Sequence, residues 1–442
     1  MKKIVAVLLA AIMTVALAAC GSSSSNSSTT SNSSDTTNTT SSSGSSDSLT
    51  VWCWDPAFNI YAMQEAEKVY QQTDPNFKLN IVETSWNDIQ TKLTTAATAN
   101  QLSTLPDIFL CQDNAFQKNV INYPEIFADL TGSGIAFDQF AAGKVAYSVI
   151  DGKNYGVPFD NGAAINCLRT DVLQQAGYKV DDFTNITWDK FITMGKDILA
   201  KTGKPLLSTD HTSPDLIMMM LQSAGASLFN ADGSVNIANN AVLKEVIKVY
   251  QQLLSSGILT EVNSWDEYIA TLVNGTVAST INGCWIIGSI QTAKDQSGKW
   301  GITNLPSLNV PNATNYSANG GSSWAISASS PNKDLAAKFL SATFAGSTQF
   351  YETILPSSGA LATYLPAGQS TVYNQPSEFF GGQKIFSLIT DFASKVPKNY
   401  TGVYYYEARD AVSVAISQIM GGIDVTKALQ DAESTVKFKM GS

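Results

Sequence analysis

Hydrophobic and polar positions divide the chain into three parts. Residues 1–20 contain a continuous apolar run, residues 21–48 contain almost no apolar side chain, and residues 49–442 mix both kinds of position. In the third part, short apolar runs bounded by turn residues predict strands, and apolar residues three and four positions apart predict helices. The chain therefore has a leader, a polar connector and a folded region.

The folded region predicts an α/β protein. Strand, helix, strand, helix and strand follow one another between residues 49 and 113, an order typical of a parallel sheet with right-handed crossovers. Strands are predicted at 49–55, 78–84, 107–113, 163–168, 276–285 and 320–326, with a hairpin at 151–158. Helices are predicted at 56–70, 86–99, 188–201, 214–224, 241–256, 265–273, 333–345, 407–420 and 425–439.

The first twenty residues have the composition of an export signal. Lys2 and Lys3 precede the apolar run 4–16, and Leu17-Ala-Ala-Cys20 follows it. The segment resembles a bacterial lipoprotein signal peptide, which implies a signal peptide at 1–19 and a lipid, such as palmitate, on Cys20. The alternative is a transmembrane anchor with an incidental cysteine, but the run is short for a bilayer and lacks stop-transfer charges.

Residues 20–48 are predicted to be a disordered tether. Ser, Thr, Asn and Gly dominate, so the segment has too little apolar surface to offset the entropy lost on ordering. As a flexible coil it spans roughly 30 Å. We expect an exported protein held on the extracellular side of the cell membrane through the lipid on Cys20.

Composition favours recognition of uncharged partners. About 390 residues follow the tether, which suggests two lobes rather than one core. Only 14% of residues are charged, 10% are aromatic, and the formal net charge is −10. Loss of Lys2 and Lys3 with the leader makes the mature chain more acidic, which argues against nucleic acid or anionic lipid as a partner.

Four cysteines remain beyond Cys20, each inside an apolar segment: Cys53, Cys111, Cys167 and Cys284. None has the short spacing of a metal site, and four cysteines across this length do not resemble a disulfide scaffold. We expect buried free thiols, with disulfide pairing as the alternative.

Motifs in the folded region resemble those of the maltose-binding-protein type of extracellular solute-binding protein, the receptor of sugar ABC importers. The resemblance runs from Leu49 to the C-terminus. Its motifs, in chain order, are Leu105-Pro-Asp-Ile-Phe109, Asp151-Gly-Lys-Asn-Tyr-Gly-Val-Pro158, Ile281-Asn-Gly-Cys-Trp285 and Tyr404-Tyr-Tyr-Glu-Ala-Arg409. The stretch Val51–Met63 resembles receptors for xylo- and arabinoxylo-oligosaccharides.

The resemblance implies a two-lobed, periplasmic-binding-protein-like α/β fold with hinge strands and a central cleft. Residues 49–158 with 318–357 would form the N-terminal lobe, and 159–317 with 358–442 the C-terminal lobe. A monomer of this kind binds an oligosaccharide in the cleft, closes by hinge bending and delivers the sugar to ABC importer permease subunits, without a cofactor or metal.

One departure from the family pattern lies after the hinge. Many relatives have Tyr-Asn-Lys-Asp there, whereas this chain has Leu168-Arg-Thr-Asp171, and Gly162 or Ala163 replaces a carboxylate. Asp160 and Asn161 are therefore candidates for the polar contacts on that side.

A pyranose presents a flat C–H face and a ring of hydroxyls, so its receptor needs aromatic plates and carboxylates or amides. The resemblance aligns Trp285 and Tyr405 with family plates. Tyr404 and Tyr406 flank Tyr405, and at least one of these three tyrosines is expected to face the cleft. Asp55 and Asp113 follow predicted strands at the end where ligands bind, although Asp55 before a proline also suits a helix cap. The other candidates are Trp54, Phe58, Trp86, Asn87, Asn114, and the small residues Gly320 and Gly321.

Two other classes of protein remain open at this point. A secreted carbohydrate hydrolase would share the aromatics and carboxylates, but no acid and nucleophile pair stands out. The lone His211 fits a surface turn, and the sequence has no HExxH, GxSxG or P-loop motif. A peptide receptor or surface adhesin would share the anchor and fold, but charge is sparse near the expected cleft.

Overall fold

The computed structural model describes residues 47–441. The predicted signal peptide, Cys20 and all but the last two residues of the predicted tether lie outside this range. The strands described are β1 (Ser48–Cys53), β2 (Lys78–Glu83), β3 (Ile108–Gln112), β4 (Val149–Ile150), β5 (Lys153–Asn154), β6 (Val157–Asp160), β7 (Ala164–Arg169), β8 (Leu207–Asp210), β9 (Leu259–Val262), β10 (Ser279–Gly283), β11 (Trp300–Thr303) and β12 (Ser322–Ile326). The α-helices described are α1 (Asn59–Tyr70), α2 (Trp86–Thr98), α3 (Asp113–Asn122), α4 (Ala142–Val145), α5 (Thr170–Ala176), α6 (Trp188–Thr202), α7 (Asp215–Ser223), α8 (Ala241–Ser255), α9 (Trp265–Val273), α10 (Ile286–Ile290), α11 (Lys333–Ala342), α12 (Thr348–Ser358), α13 (Ile385–Ala393), α14 (Tyr405–Met420) and α15 (Val425–Met440).

The first lobe is built on a sheet with strand order β2-β1-β3-β12-β6. Strand β1 is parallel to β2 and β3, which confirms the predicted parallel order, and β12 is antiparallel to β3 and β6. Alternate residues of β3 enter different cores, Ile108 and Leu110 on one face and Phe109 and Cys111 on the other. Helices α1, α11 and α12 cover one face, and α2 and α3 cover the other.

The second lobe is built on an antiparallel sheet with strand order β10-β7-β11. Strand β7 is buried along its whole length, and its residues again alternate between two cores. Ala164 and Leu168 pack with α6, α7, α8, α14 and α15, whereas Ile165 and Cys167 pack with α9, α10 and α13. The protein is therefore a two-lobed α/β structure. The predicted residue boundaries of the lobes stay a prediction.

Two connections between the lobes lie side by side. One joins β6 to β7, and the other joins β11 to β12. Between them, the backbone N–H of Asn319 donates to the backbone carbonyl of Gly162 at 2.7 Å. A Cβ atom at Gly162 would overlap the carbonyl oxygen of Asn319. Glycine is therefore required at 162, because the two connections approach each other more closely than a side chain allows.

The structure confirms the burial of Cys53, Cys111, Cys167 and Cys284 as free thiols. Several predicted strands extend beyond the observed ones, including 49–55, 107–113, 276–285 and 320–326. Residue 113 begins α3 instead of ending β3, and Trp285 lies beyond β10 at the start of α10. Within residues 47–441, every helix is too short or too polar to traverse a bilayer.

Candidate functional site

A row of half-buried aromatic rings passes from one lobe to the other. Trp54, after β1, meets Trp86 at 5.8 Å between ring centroids, and Trp86 meets Tyr406 at 6.0 Å. Tyr406 in turn meets Tyr405 at 5.3 Å. The two tyrosines open α14, whose later residues, such as Ala408, lie in the second-lobe core. The row therefore joins first-lobe tryptophans to second-lobe tyrosines.

The tyrosines of the C-terminal motif have different surroundings. The hydroxyl of Tyr406 donates to the side-chain oxygen of Gln112 at the end of β3, so this ring reaches the first lobe. Tyr404 lies beside the ammonium group of Lys118, which is 5.9 Å from its ring centroid. The sequence left open which of Tyr404, Tyr405 and Tyr406 faces the cleft, because the cross-lobe contact of Tyr406 depends on how α14 packs.

Trp285 stands where the two lobes meet. Its half-buried ring contacts hydrophobic clusters of both lobes and lies 5.5 Å from the ring of Trp265. The indole N–H donates to the carbonyl oxygen of Asn319 at 2.9 Å. A Cβ atom at Gly283 would overlap the indole, and one at Gly320 would lie 3.2 Å from its nitrogen. The glycines on either side make room for the ring.

Asp55 closes the turn that leads into α1. Its Oδ1 accepts the N–H of Ala57 at 2.9 Å. The N–H groups of Trp54 and Asp55 donate to the side-chain oxygen of Asn59 at 3.0 and 2.9 Å. Burial raises the pKa of Asp55, and only 8% of the residue is exposed. The carboxylate thus serves the local turn.

Asp113, Lys144 and Asp160 form a buried set that we call the first-lobe charge group. The ammonium of Lys144 pairs with Asp113 and donates to the carbonyl of Ser322 at 2.8 Å. The hydroxyl of Ser323 donates to Asp113 at 3.0 Å, and the N–H of Ser322 donates to Asp160 at 2.9 Å.

Burial dominates the electrostatics of this group. It raises the pKa of Asp113 to about 6 despite the opposing effect of Lys144, and it also raises the pKa of Asp160. A Cβ atom at Gly321 would lie 2.6 Å from a carboxylate oxygen of Asp113. Gly321 therefore makes room for this buried group, and the two carboxylates bond mainly to groups of their own lobe.

The remaining predicted residues are dispersed. Phe58 is buried against Phe159 at 5.2 Å, and Asn87 is exposed on the first turn of α2. Asn114 is half-buried, and within residues 47–441 its side-chain oxygen has no hydrogen-bond partner. Asn161 lies in the β6 to β7 connection, where its carbonyl accepts the thiol of Cys284 at 3.2 Å.

A second polar set was missed by the sequence analysis. Asp215, Arg409 and Asn319, which we call the second-lobe charge group, come from α7, α14 and the β11 to β12 connection. Arg409 donates to Asp215 and to the hydroxyl of Ser213. The side-chain NH2 group of Asn319 donates to the side-chain oxygen of Asn282 at 2.8 Å, and this side chain also lies near Asp215, whose pKa it helps to lower. Nothing in the spacing of these residues marks them as neighbours.

Tyr147 lies within electrostatic range of Asp113, in the first-lobe charge group, and of Tyr405. It belongs to the first lobe and is 38% exposed. Tyr405 lies within electrostatic range of Tyr147, Asp215 and Arg409. The two lobes therefore bring aromatic faces, carboxylates and amides to one interlobe region, which is the chemistry that a hydroxyl-rich ring requires.

Metal chemistry has no cluster of ligands in the described residues. No group of three or more His, Cys, Asp or Glu side chains between residues 47 and 441 is arranged to hold an ion. One surface cavity, of about 630 Å³, is lined by residues such as Phe137, Phe140 and Val145 of the first lobe. Its lining includes none of the aromatic row.

Comparisons with known proteins agree with this architecture. Residues 62–367 match the family model described as bacterial extracellular solute-binding protein. The chain is 38% identical over 385 residues to a protein named lactose-binding protein from Rhizobium radiobacter, which covers 87% of this chain and 91% of that protein. It is 23% identical over 269 residues to a protein named arabinooligosaccharide-binding protein from Halalkalibacterium halodurans, covering 59% of each.

Solved structures share the fold. One is the ABC transporter associated binding protein from B. animalis subsp. lactis Bl-04 in complex with β-1,6-galactobiose, with a TM-score of 0.77, 21% identity, and coverage of 89% of this chain and 97% of that one. Another is the galacto-N-biose-/lacto-N-biose I-binding protein from Bifidobacterium longum in complex with lacto-N-biose, with a TM-score of 0.71, 20% identity, and coverage of 90% and 98%. These likenesses support the two-lobed fold.

Proposed function

The chain belongs to the bacterial extracellular solute-binding protein family, and on this premise we propose that it is a sugar receptor of an ABC importer. An oligosaccharide binds between the lobes, and the closed protein delivers it to the permease subunits. No cofactor takes part in this cycle.

The aromatic row is the observation that carries the proposal. Trp54, Trp86, Tyr406 and Tyr405 connect the lobes, and Trp285 stands at the same junction, fixed through its indole N–H. Rings fixed in this way offer a flat surface on which the C–H face of a sugar can stack. The entropic cost is small, because aromatic side chains have few rotatable bonds. A sugar of two or more rings would use several of them at once.

The paired connections at Gly162 and Asn319 supply the hinge in this proposal. Each joins a strand of one sheet to a strand of the other, so a change of backbone angles there moves whole lobes. Closure would bring first-lobe Trp54 and Trp86 against a ligand resting on second-lobe Trp285 and Tyr405. Micromolar affinity corresponds to about −8 kcal/mol, which a few stacked rings and charged hydrogen bonds supply.

Two sugar classes have specific support. The relative that is 38% identical is named for lactose, which favours a β-galactoside as the first candidate. The 23% identical relative is named for arabino-oligosaccharides, which supports the xylo- and arabinoxylo-oligosaccharides that the stretch Val51–Met63 resembles. The first candidate takes precedence because that relative is more similar and covers more of the chain.

Binding without catalysis fits the relatives, which are named as binding proteins. The hydrolase alternative lacks support in the interlobe region, where Asp113 is paired with Lys144 and Asp215 with Arg409. The peptide receptor and adhesin alternatives would leave the aromatic row without a ligand suited to it.

Export and anchoring complete the proposal. Cleavage after residue 19 would leave Cys20 as the first mature residue, and its acyl chains would hold the protein on the extracellular face of the membrane. The tether 20–48 would let a monomeric receptor reach its permease. Mass spectrometry of the membrane fraction tests this anchor: a diacylated peptide beginning at Cys20 is expected, whereas cleavage elsewhere would contradict it.

Calorimetric titration tests the function. Residues 47–442 are titrated with lactose, β-galactobiose, and xylo-, arabinoxylo-, malto- and gluco-oligosaccharides, and each mixture is then checked for cleavage. We expect saturable micromolar binding of one class and an unchanged sugar. Absence of binding across the panel would refute an oligosaccharide receptor, and released product would establish a hydrolase.

A further inference from the structure

We propose that Asp215 is a sugar-binding residue that restricts the site to neutral sugars, with Arg409 and Asn319 as its positioning residues. The proposal rests on the proposed function, because it assigns a role within the same interlobe site. Asp215 accepts hydrogen bonds from ligand hydroxyls, and its charge repels ligands that carry a carboxylate.

Several groups fix the position of Asp215. It is the first residue of the nine-residue helix α7, where a negative charge is favoured by the helix dipole. Arg409 pairs with its Oδ1 and also donates to Ser213. Arg409 lies 5.8 Å from the ring centroid of Tyr406, so the same guanidinium also contacts the aromatic row.

Asn319 relates the carboxylate of Asp215 to the Trp285 plate. The side chain of Asn319 lies near Asp215, whose pKa it helps to lower, and donates to Asn282 at 2.8 Å, while the backbone carbonyl of Asn319 accepts the indole N–H of Trp285. Asn282 donates in turn to the hydroxyl of Tyr268 at 3.1 Å. A single residue of the interlobe connection thus sets the carboxylate and the ring in one frame.

The carboxylate of Asp215 is accessible from solvent. The Asp215 side chain is 28% exposed, whereas that of Asp113 in the first-lobe charge group is 6% exposed. Both carboxylates are paired with a cation, but the second still faces solvent. Because a carboxylate has two oxygens with about four acceptor positions, Asp215 can hold Arg409 and Asn319 and still accept ligand hydroxyls.

The negative charge of Asp215 selects between ligands. Burial alone would raise the pKa of Asp215, but the Arg409 charge and hydrogen bonds from Asn319, Arg409 and Ser213 lower it overall. Asp215 is therefore ionised at physiological pH and acts as a pure acceptor. Nη2 of Arg409 donates to both Asp215 and Ser213, and the positive charge of Arg409 is offset by the carboxylate with which it pairs. Hydroxyl donors are favoured and uronates are disfavoured.

The test compares neutral and acidic sugars on the wild type and on Asp215→Asn. The neutral sugar is the tightest binder from the calorimetric panel, and its acidic counterparts carry one uronate group at either end. In the wild type, the uronates should bind at least tenfold more weakly than the neutral sugar. Asp215→Asn should weaken the neutral sugar at least tenfold and reduce the discrimination between the two by a similar factor.

Asp197→Asn is the matched control. Asp197 is also paired with a cation, Lys201, but it lies on the exposed surface of α6. This variant should leave both affinities unchanged. Asp215→Glu is the second variant in case Asp215→Asn does not fold: it keeps the charge but displaces it, so neutral-sugar affinity should fall while rejection of uronates persists.

The outcomes separate this inference from the proposed function. If the wild type binds a neutral sugar and Asp215→Asn, folded by circular dichroism, binds it equally well with the same discrimination, the inference is overturned. If the wild type prefers a uronate, the charge argument is wrong although the receptor function stands. If no sugar binds the wild type, the receptor function itself fails, and the inference with it.

Discussion

The two charge groups of this protein use the same chemistry for different ends. In the first lobe, Asp113 and Lys144 are almost fully buried, with side chains 6% and 4% exposed. In the second lobe, Asp215 and Arg409 are 28% and 18% exposed. The first pair bonds to backbone and hydroxyl groups of its own lobe, whereas the second connects to the interlobe connection and to the aromatic row.

This difference teaches that a carboxylate at a strand end can be held by groups of its own lobe. Asp113 follows a parallel strand at the edge where ligands usually bind, yet its oxygens are held by Lys144 and Ser323. Asp215, which follows a loop and a proline, keeps solvent access beside Tyr405. We therefore expect the first-lobe group to determine stability and the second-lobe group to determine affinity.

The largest effect should come from removing the buried cation. Lys144→Met leaves Asp113 and Asp160 as uncompensated buried carboxylates, which should lower the free energy of unfolding by about 3–5 kcal/mol. Urea denaturation followed by tryptophan fluorescence measures this loss. Lys153→Met is the control. Its pair with Asp129 faces solvent, with side chains 56% and 39% exposed, so the substitution should change the stability very little. Equal effects of the two substitutions would contradict a structural role for the first-lobe group.

Truncation of the Trp285 ring should affect sugar affinity more than stability. Trp285→Ala removes stacking surface at the lobe junction, and we expect a loss of about 1.5–3 kcal/mol in sugar affinity, roughly 10- to 100-fold. Calorimetry measures the affinity, and a thermal melt without ligand measures the accompanying change in stability. Phe438→Ala, at a side chain that is 84% exposed on α15, should change neither. Unchanged affinity in Trp285→Ala would remove this ring from the site.

The pH dependence of stability should have opposite signs in the two groups. Asp113 has a folded pKa of about 6, above its ordinary value, so its favourable contribution is present at low pH and is lost as the pH rises through about 6. Asp215 has a lowered pKa in the folded protein. Its contribution to stability is therefore present at neutral pH and is lost as the pH falls through this lowered pKa.

Thermal melts of the wild type, Asp113→Asn and Asp215→Asn between pH 3 and 7.5 compare these contributions. From pH 7 to pH 4, the wild type should gain stability relative to Asp113→Asn. Toward pH 3 it should lose stability relative to Asp215→Asn. If the melting temperatures of the two variants changed with pH in parallel, the two charge groups would not have opposite effects on the pH dependence of stability.

The smallest effect should come from an ion pair that joins the lobes. Lys118 of α3 pairs with Glu407 of α14, with side chains 31% and 12% exposed. Glu407→Gln removes a contact that favours closure, so the apparent affinity for sugar should fall about two- to fivefold. Glu245→Gln breaks a comparable pair within α8 and should have no effect on affinity. An equal change in both variants would argue against a role of the Lys118 pair in closure.

Most of the fold was predictable because its elements have strong local signals. The order of strands and helices from 49 to 113 predicted the parallel part of the first sheet, and α9 begins and ends at the predicted residues 265 and 273. Helices α4, α5, α10 and α13 and strands β8, β9 and β11 were missed, and so were α3 and α12. Helix α3 follows β3 directly, and Pro356 lies inside α12, so neither shows an obvious start or stop.

The site was predictable only where a local motif identified it. Trp285 follows Asn282 and Gly283, and the structure places it at the lobe junction, as expected of a binding plate. Arg409, by contrast, meets Asp215 across 194 positions of sequence, and no periodicity encodes such a pairing. The sequence offered one signal in retrospect: Arg409 is the one cation in the sequence of α14, close to three tyrosines.

A co-crystal structure with the tightest sugar from the calorimetric panel tests the central claim most directly. The account predicts a sugar between the lobes, with one ring on Trp285, a second against Tyr405, and hydroxyls within 3.2 Å of Asp215, the reach of an ordinary hydrogen bond. A sugar bound outside the interlobe region, or one that contacts Asp113 and leaves Asp215 to solvent, would contradict the division of roles between the two charge groups.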